Sequence, residues 1–273
     1  ASLTTHAEAH GDGWVVNGSK IWTSGAHRSQ MGILIARTDP AAPKHQGISY
    51  FLCPMDSPGI TMSPIVDMTT AHSFNQVFFD DARLPGDALV GEPGDGWRLA
   101  KATLANERVS LSTWGALWGM GPSTDDLVEV IKEGGPVTDP LLRQQIARVW
   151  SEGELLRLMR LRTLSARLSG RPPGPEASVQ KLMGDEHGQH VMELAKDLAG
   201  PSGMLSGSGP AGGLRDGAQA GPTEVNVRPG GRIEGVNPIW HFGYLFAPAL
   251  TIGGGTWAVQ RNIVAERVLG LPH

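Results

Sequence analysis

At 273 residues, with 40% hydrophobic and 18% charged side chains and a formal net charge of -4, the chain has a globular composition long enough for one large or two ordinary domains. The mild acidity, without a basic stripe, argues against nucleic acid as a partner, and no apolar run reaches the length that spans a bilayer, so no membrane role is expected. A single cysteine, Cys53, excludes an internal disulfide and any multi-cysteine metal site, and fits a reducing, cytoplasmic setting.

The chain opens on Ala1 and enters almost at once what reads as a strand, as expected of a chain that continues a longer one. Residues 4–9 alternate. Residues 14–16 and 19–23 read as two short strands joined by Asn17-Gly18, a dipeptide that tolerates the positive φ of a tight hairpin. Residues 31–36 are a continuous apolar run, the pattern of a central strand. Residues 47–52 and 74–79 follow between Pro- and Asp-rich turns. Several short strands at this spacing, with no helical period between them, predict an antiparallel β-barrel or sandwich over residues 1–90.

The pattern changes near Leu84-Pro85-Gly86-Asp87. Helices are predicted over residues 97–118, 123–132, 139–169 and 176–198. In the third, Leu142, Ile146, Val149 and Leu156 share one face. The fourth follows Pro172-Pro173-Gly174-Pro175. Residues 201–238 are Gly- and Pro-rich and read as a long loop. A last helix follows Gly253-Gly254-Gly255-Thr256 and turns Val259, Ile263 and Val264 inward. Helices of this length side by side make an up-and-down four-helix bundle over residues 91–273. The expected fold class is α+β, with the strands first.

Three stretches carry candidate chemistry. In Trp22-Thr23-Ser24-Gly25-Ala26, an aromatic face next to two hydroxyls suits a planar ring with polar edges, or is an ordinary strand end with a packed Trp. In Gly253-Gly254-Gly255-Thr256, glycines let a ligand approach the backbone and Thr256 is a candidate N-cap; a flexible helix start reads the same way. The Gly-Lys-Ser/Thr ending of a phosphate-binding P-loop is absent. The third is Glu107. On the wheel of residues 97–118 it shares a stripe with Ala100, Leu104, Leu111, Trp114 and Trp118. A carboxylate on an apolar stripe is costly unless paired or used. It is therefore an ion-pair member, with Arg108 or another arginine, or a base with a raised pKa. The nine histidines are scattered; His187 and His190 share a helix, and a metal site is not expected. There is no Gly-x-Ser-x-Gly elbow for a serine hydrolase.

These residues resemble a known family. Asp12-Gly13-Trp14-Val15-Val16-Asn17-Gly18-Ser19-Lys20-Ile21-Trp22-Thr23-Ser24 resembles the opening of the middle β-domain of an acyl-CoA dehydrogenase of actinobacterial type. Asn106-Glu107-Arg108 resembles the start of that family's C-terminal bundle. The run from Gly254-Gly255-Thr256-Trp257 to Gly270-Leu271-Pro272 resembles its closing signature. The resemblance covers the chain from end to end and implies residues 1–90 as middle domain, residues 91–273 as C-terminal domain, and the family's N-terminal helical domain as missing.

It further implies an FAD enzyme that removes two hydrogens from the α and β carbons of an acyl-CoA thioester, with an electron-transfer flavoprotein as acceptor and assembly into a homo- or hetero-oligomer, dimer or tetramer. Trp22, Thr23 and Ser24 inherit the place along the flavin ring. Gly255 and Thr256 meet the cofactor, and Gly200, in Gly200-Pro201-Ser202-Gly203, touches the FAD of a neighbouring subunit. Many members carry the base immediately before Gly-Thr; here that position is Gly254, whose N–H is left to bind the thioester carbonyl. Other members place the base in a Glu-Arg pair on the first bundle helix. Glu107 matches that arrangement as the catalytic base, with Arg108 beside it at the substrate. The Arg-x-x-Phe that the family often has near Glu133-Gly134-Gly135-Pro136 is absent. A non-catalytic partner subunit of a heteromeric acyl-CoA dehydrogenase and a flavin monooxygenase on the same fold are the alternatives. Leu104, Leu111, Trp114 and Trp118 line the acyl pocket or belong to the core, and Ala102 and Ala105 leave room for a bulky or branched acyl group.

Overall fold

The computed structural model describes residues 2–113, 117, 121–171, 174–175, 177–201, 226–228, 232–234 and 238–272. It divides into two compact units, Ala1–Ala105 and Asn106–His273, the division falling inside one helix. Strands come first and helices second, as the sequence pattern requires.

The first unit is one seven-stranded sheet. Its strands are β1 (His6–His10), β2 (Gly13–Ser24), β3 (Met31–Arg37), β4 (Ile48–Pro54), β5 (Ile60–Ile65), β6 (Phe74–Pro85) and β7 (Leu89–Val90), in the order β5-β6-β2-β1-β3-β4-β7. All pairings are antiparallel except β1 with β3. The sheet ends at β5 and β7 and does not close on itself, so the expected barrel is an open mixed sheet. β3 is central, as its apolar run predicts, but only Leu34 and Ala36 are buried while Met31 and Ile33 face out. The core gathers Val16, Leu34, Phe51, Val77, Phe79 and Leu84 on one face, with Trp14 edge-on to Phe51 at 5.2 Å between centroids.

Asn17-Gly18 is not a hairpin turn. β2 runs straight through it with a register shift against β6 between Val16 and Gly18. The Asn17 amide is spent across the sheet: Nδ2 donates to Asp81 Oδ1 at 3.0 Å and Oδ1 accepts from Asp81 N at 2.9 Å. Gly18 takes φ 128°, and a Cβ there would meet Thr5 Cα at 2.8 Å. The dipeptide builds a bulge, the other structure that glycine permits in a strand. The hairpin turn lies earlier, at Gly11 and Asp12, where His10 pairs with Gly13 and Gly11 has φ 62°.

α1 (Gly96–Thr113) spans the division between the units. Its first half is tied to β4 by a 3.1 Å hydrogen bond between the Tyr50 and Thr103 hydroxyls. In the second unit α2 (Thr124–Glu133) starts at a capping box, Ser123 with Asp126. α3 (Pro140–Leu168) starts at Asp139, whose Oδ1 accepts from Leu141 N at 2.7 Å and Leu142 N at 3.2 Å, with proline at the first position. Its expected inner face holds: Leu142 and Ile146 are half-buried, Val149 and Leu156 buried. Twelve of the residues of α4 (Ala177–Ala199) are buried, from Ala177 to Leu198. Contacts of Gln145 with Asp197, Arg148 with His190 and Thr163 with Gln180 run in opposite directions along α3 and α4, so the two are antiparallel.

The region expected as a long loop contains the paired strands β8 (Asn226–Arg228) and β9 (Arg232–Glu234). The rest of residues 202–237 lies outside the described residues. An unforeseen helix, α5 (Pro238–Phe246), follows, then a 3-10 segment (Ala247–Thr251). α6 (Trp257–Ile263) continues into a π-helical turn, Val264–Val268. On α6 the inward residue is Gln260, fully buried, whereas Val259 is exposed.

Candidate active site

The end of β2 is held in an uncommon conformation. The register against β6 slips between Lys20 and Thr23, and Trp22 takes φ 61°, a left-handed backbone that non-glycine residues seldom adopt. Trp22 is 59% exposed, and its indole stands edge-on to Phe74 at 5.9 Å. Thr23 and Ser24 then pair with Asn75 and Phe74, and Gly25 N donates to Ser73 O at 2.9 Å. The strand end therefore leaves Trp22 exposed, followed by a half-buried Thr23 and an exposed Ser24.

Behind it sits a group the sequence reading missed. Asn75, 1% exposed, donates from Nδ2 to Thr23 O at 3.2 Å and to His27 Nδ1 at 3.1 Å, while its Oδ1 accepts from His72 Nε2 at 2.9 Å. The His27 and His72 rings stack at 4.3 Å.

On α1, Glu107 in the second unit and Leu104 at the end of the first are both exposed. The expectation of a buried stripe fails there; of the stripe's described residues only Ala100 is buried. The side chains of Ala105, Arg108 and Leu111, and residues 114 and 118, lie outside the described residues, so the Arg108, Leu111, Trp114 and Trp118 expectations are not addressed. Gly200 ends α4 with φ 55°, and a Cβ there would meet nothing within 4 Å.

The segment before α6 is specific. Gly254 and Gly255 have φ 68° and 102°. Thr256 caps α6, its side chain accepting from Val259 N at 3.4 Å. Gln260 Nε2 donates to Gly254 O at 2.9 Å and Gly255 O at 3.3 Å, and Gln260 Oε1 is buried without a partner. A Cβ on Gly255 would meet Gln260 Nε2 at 2.5 Å. Among the described residues nothing accepts from the N–H groups of Gly254 and Gly255. Gln260 thus fixes the two carbonyls and leaves the amides unspent. In sequence it is one of three consecutive polar residues, Gln260-Arg261-Asn262, on a short helix.

Two polar clusters serve packing. Lys181 Nζ donates to Asp185 Oδ2 at 2.5 Å and to Leu250 O at 2.9 Å, all within the interior. Glu152 Oε2 accepts from His190 Nδ1 at 2.9 Å and His187 Nδ1 at 3.3 Å, and Arg148 Nε donates to Oε1 at 2.8 Å, joining α3 to α4. Among the described residues no group of three or more His, Cys, Asp or Glu side chains could hold a metal ion.

An open mixed sheet with an exposed aromatic strand end, leading through one helix into a helical unit whose last helix is entered by a glycine-threonine segment, defines a two-part α+β protein. Comparison with known proteins makes this specific. The model of the acyl-CoA dehydrogenase middle domain matches residues 1–82, and that of the acyl-CoA dehydrogenase C-terminal domain matches residues 94–269. The chain is 40% identical over 273 residues to acyl-CoA dehydrogenase IpdE1 of Mycobacterium tuberculosis, covering 100% of this chain and 63% of that protein. Among solved structures it matches the Tcur3481-Tcur3483 steroid ACAD with a TM-score of 0.79 and 28% identity, covering 100% of this chain and 64% of that one. It also matches the ChsE4-ChsE5 complex from Mycobacterium tuberculosis, with a TM-score of 0.75 and 27% identity, covering 100% of this chain and 65% of that one. The chain belongs to the acyl-CoA dehydrogenase family. It spans under two thirds of the length of these relatives.

Proposed function

We propose that the chain is the middle and C-terminal part of an FAD-dependent acyl-CoA dehydrogenase in which Glu107 removes the α proton of the thioester. The observation that carries this is the pairing of an empty Gly254, where many family members hold the base, with an exposed carboxylate at Glu107, the family's other place for it. Geometry at the proton decides which carboxylate serves as base. The unspent N–H of Gly254, fixed through Gln260, is suited to donate to the thioester carbonyl as charge develops there. Arg108 beside Glu107 is assigned to the substrate.

The residues fit a flavin on two counts. Trp22 offers an exposed aromatic face beside the Thr23 and Ser24 hydroxyls, and Gly255 brings bare backbone to a place where no side chain fits. Trp22, Thr23 and Ser24 of the first unit are assigned to flavin contact, as are Gly255 and Thr256 of the second, and Gly200 is assigned to the FAD of a neighbouring subunit. FAD, when bound, supplies the hydride acceptor, and an electron-transfer flavoprotein is the proposed onward acceptor. A CoA thioester of a sterol-derived acid is the substrate class favoured by the steroid ACAD similarity. Among the described residues no helix is long and apolar enough to cross a membrane, and a cytoplasmic place is proposed.

A second reading is favoured by one observation: both solved relatives above are named as two-component assemblies. This chain would then act with a second polypeptide, or support one that carries the base. The intact protein should bleach its flavin anaerobically on adding acyl-CoA. Glu107→Gln should bind acyl-CoA and bleach ~10²–10⁴-fold more slowly, the usual worth of positioned proton transfer. Unchanged bleaching removes Glu107 from the mechanism; bleaching only after mixing with a second polypeptide selects the partner reading.

A further inference from the structure

The left-handed turn at Trp22 needs something to hold it, because such backbone persists only where its surroundings over-determine it. The backbone ladder is interrupted there, between Lys20 and Thr23. Where pairing resumes, at Thr23 opposite Asn75, the Asn75 side chain bonds the Thr23 carbonyl. An amide is directional: two N–H donors on one side, an acceptor oxygen on the other. Here each end has one compatible neighbour. The Nδ2 faces the Thr23 carbonyl and His27 Nδ1, and the Oδ1 faces His72 Nε2. Turning the amide over would set oxygen against the Thr23 oxygen and nitrogen against the N–H of His72. The arrangement therefore requires a proton on His72 Nε2 and a bare Nδ1 on His27. Arg28 Nε also points at His27 Nε2, at 3.0 Å, and a neutral imidazole accepts at one nitrogen only. Asn75 is buried whereas His27 and Arg28 are exposed, so an unmet donor costs more at the amide, and the bare nitrogen belongs at Nδ1.

We propose that Asn75 is a positioning residue for the cofactor-facing end of β2: oriented by His72 and His27, its amide grips the Thr23 carbonyl and so sets the turn at Trp22 and the two hydroxyls that follow it. This rests on the reading that Trp22, Thr23 and Ser24 meet FAD. The ladder pairs Thr23 with Asn75 at this point, and the side-chain amide adds a second, directional hold on the same carbonyl at the edge of the register slip; a residue of equal size without the donor, aspartate or leucine, loses it.

The test uses the intact protein, stripped of FAD and reconstituted, with 5-fluorotryptophan incorporated and the Trp22 ¹⁹F signal assigned through Trp22→Phe. The native signal should be single and should move on adding FAD. In Asn75→Leu it should shift and broaden before any FAD is added, and FAD should bind about tenfold more weakly, the usual consequence of leaving a buried polar group unmet. Isosteric Asn75→Asp should show the same loss at pH 8 and recover as acid protonates its carboxyl, which regains a donor for Thr23; a loss from packing alone would not follow pH in this way. An unmoved Trp22 signal with native FAD affinity in both variants overturns the proposal. So does a native ring ¹⁵N spectrum that places the proton of His27 on Nδ1, a measurement that needs no variant. A Trp22 signal that answers to Asn75 but not to FAD sustains the grip and refutes the cofactor reading.

Discussion

Replacing Gln260 by leucine should separate stability from catalysis at the glycine segment. The native amide donates to Gly254 O at 2.9 Å and Gly255 O at 3.3 Å. One good and one long hydrogen bond contribute about 1.5 kcal/mol together. Against this, Oε1 is buried without a partner, a penalty of about 1–2 kcal/mol that leucine, of nearly the same volume, removes. The two terms nearly cancel, so the variant should stay within about 1 kcal/mol of native, a shift of ~2–4 °C in the unfolding midpoint of a unit this size. What leucine cannot restore is the grip on two glycines at positive φ. Their amides lose their aim, and removing an aimed donor of this kind costs ~10²–10³ in rate, so mis-aiming should cost tenfold or more. Calorimetry gives the first quantity and single-turnover flavin bleaching under saturating acyl-CoA gives the second. Native bleaching combined with a stability loss above ~3 kcal/mol would refute the reasoning, because Gln260 would then be core packing and nothing more.

Lys181→Met should cost about 3–5 kcal/mol by urea unfolding, since it strands a buried carboxylate; a loss below ~1 kcal/mol would show that Asp185 finds water. Burial already pushes Asp185 up to about 6 against the pull of Lys181, and without that pull the carboxyl rises further; a carboxyl raised in the fold gains stability as pH falls, so the variant should begin to recover at a pH above 6. At Glu152 burial pushes the carboxyl up, but hydrogen bonds from His190, Arg148 and His187 outweigh it and hold it below its ordinary value. Burial holds His187 below its ordinary 6.5. Both signs agree: the unfolded chain takes up protons that the fold resists, so the stability the cluster contributes, read as the difference in unfolding midpoint between the native chain and Glu152→Gln, should shrink from pH 7 toward pH 4, and a difference flat across that range would contradict the cluster's role.

What could be read in the sequence tracks the range over which each feature is determined. α3 was legible almost to the residue, because its cap, Asp139-Pro140, and its apolar period are local. The bulge at Gly18 was not. Asn-Gly looks the same in a turn and in a bulge, and what decides between them is Asp81, 64 positions away. α5 left no period to find: Pro238-Ile239-Trp240-His241-Phe242-Gly243-Tyr244-Leu245-Phe246 is apolar nearly all round, the mark of an interior helix rather than an amphipathic one. The same contrast runs through the candidate site. Trp22, Thr23, Ser24 and the glycine-threonine segment were visible because each is a contiguous motif. Asn75 and Gln260 were not, although they hold those motifs in place. Asn75 acts on a carbonyl 52 positions distant, and Gln260 reads in sequence as one more polar residue on a short helix. Motifs name the atoms that face a ligand; the amides that aim those atoms emerge only when the chain is folded. Glu107 closes the point from the other side. Its helical stripe suggested burial and a strained carboxylate, yet the residue is exposed. Its candidacy as base therefore rests on its place in the Glu-Arg pair of the first bundle helix together with the absence of a carboxylate at Gly254.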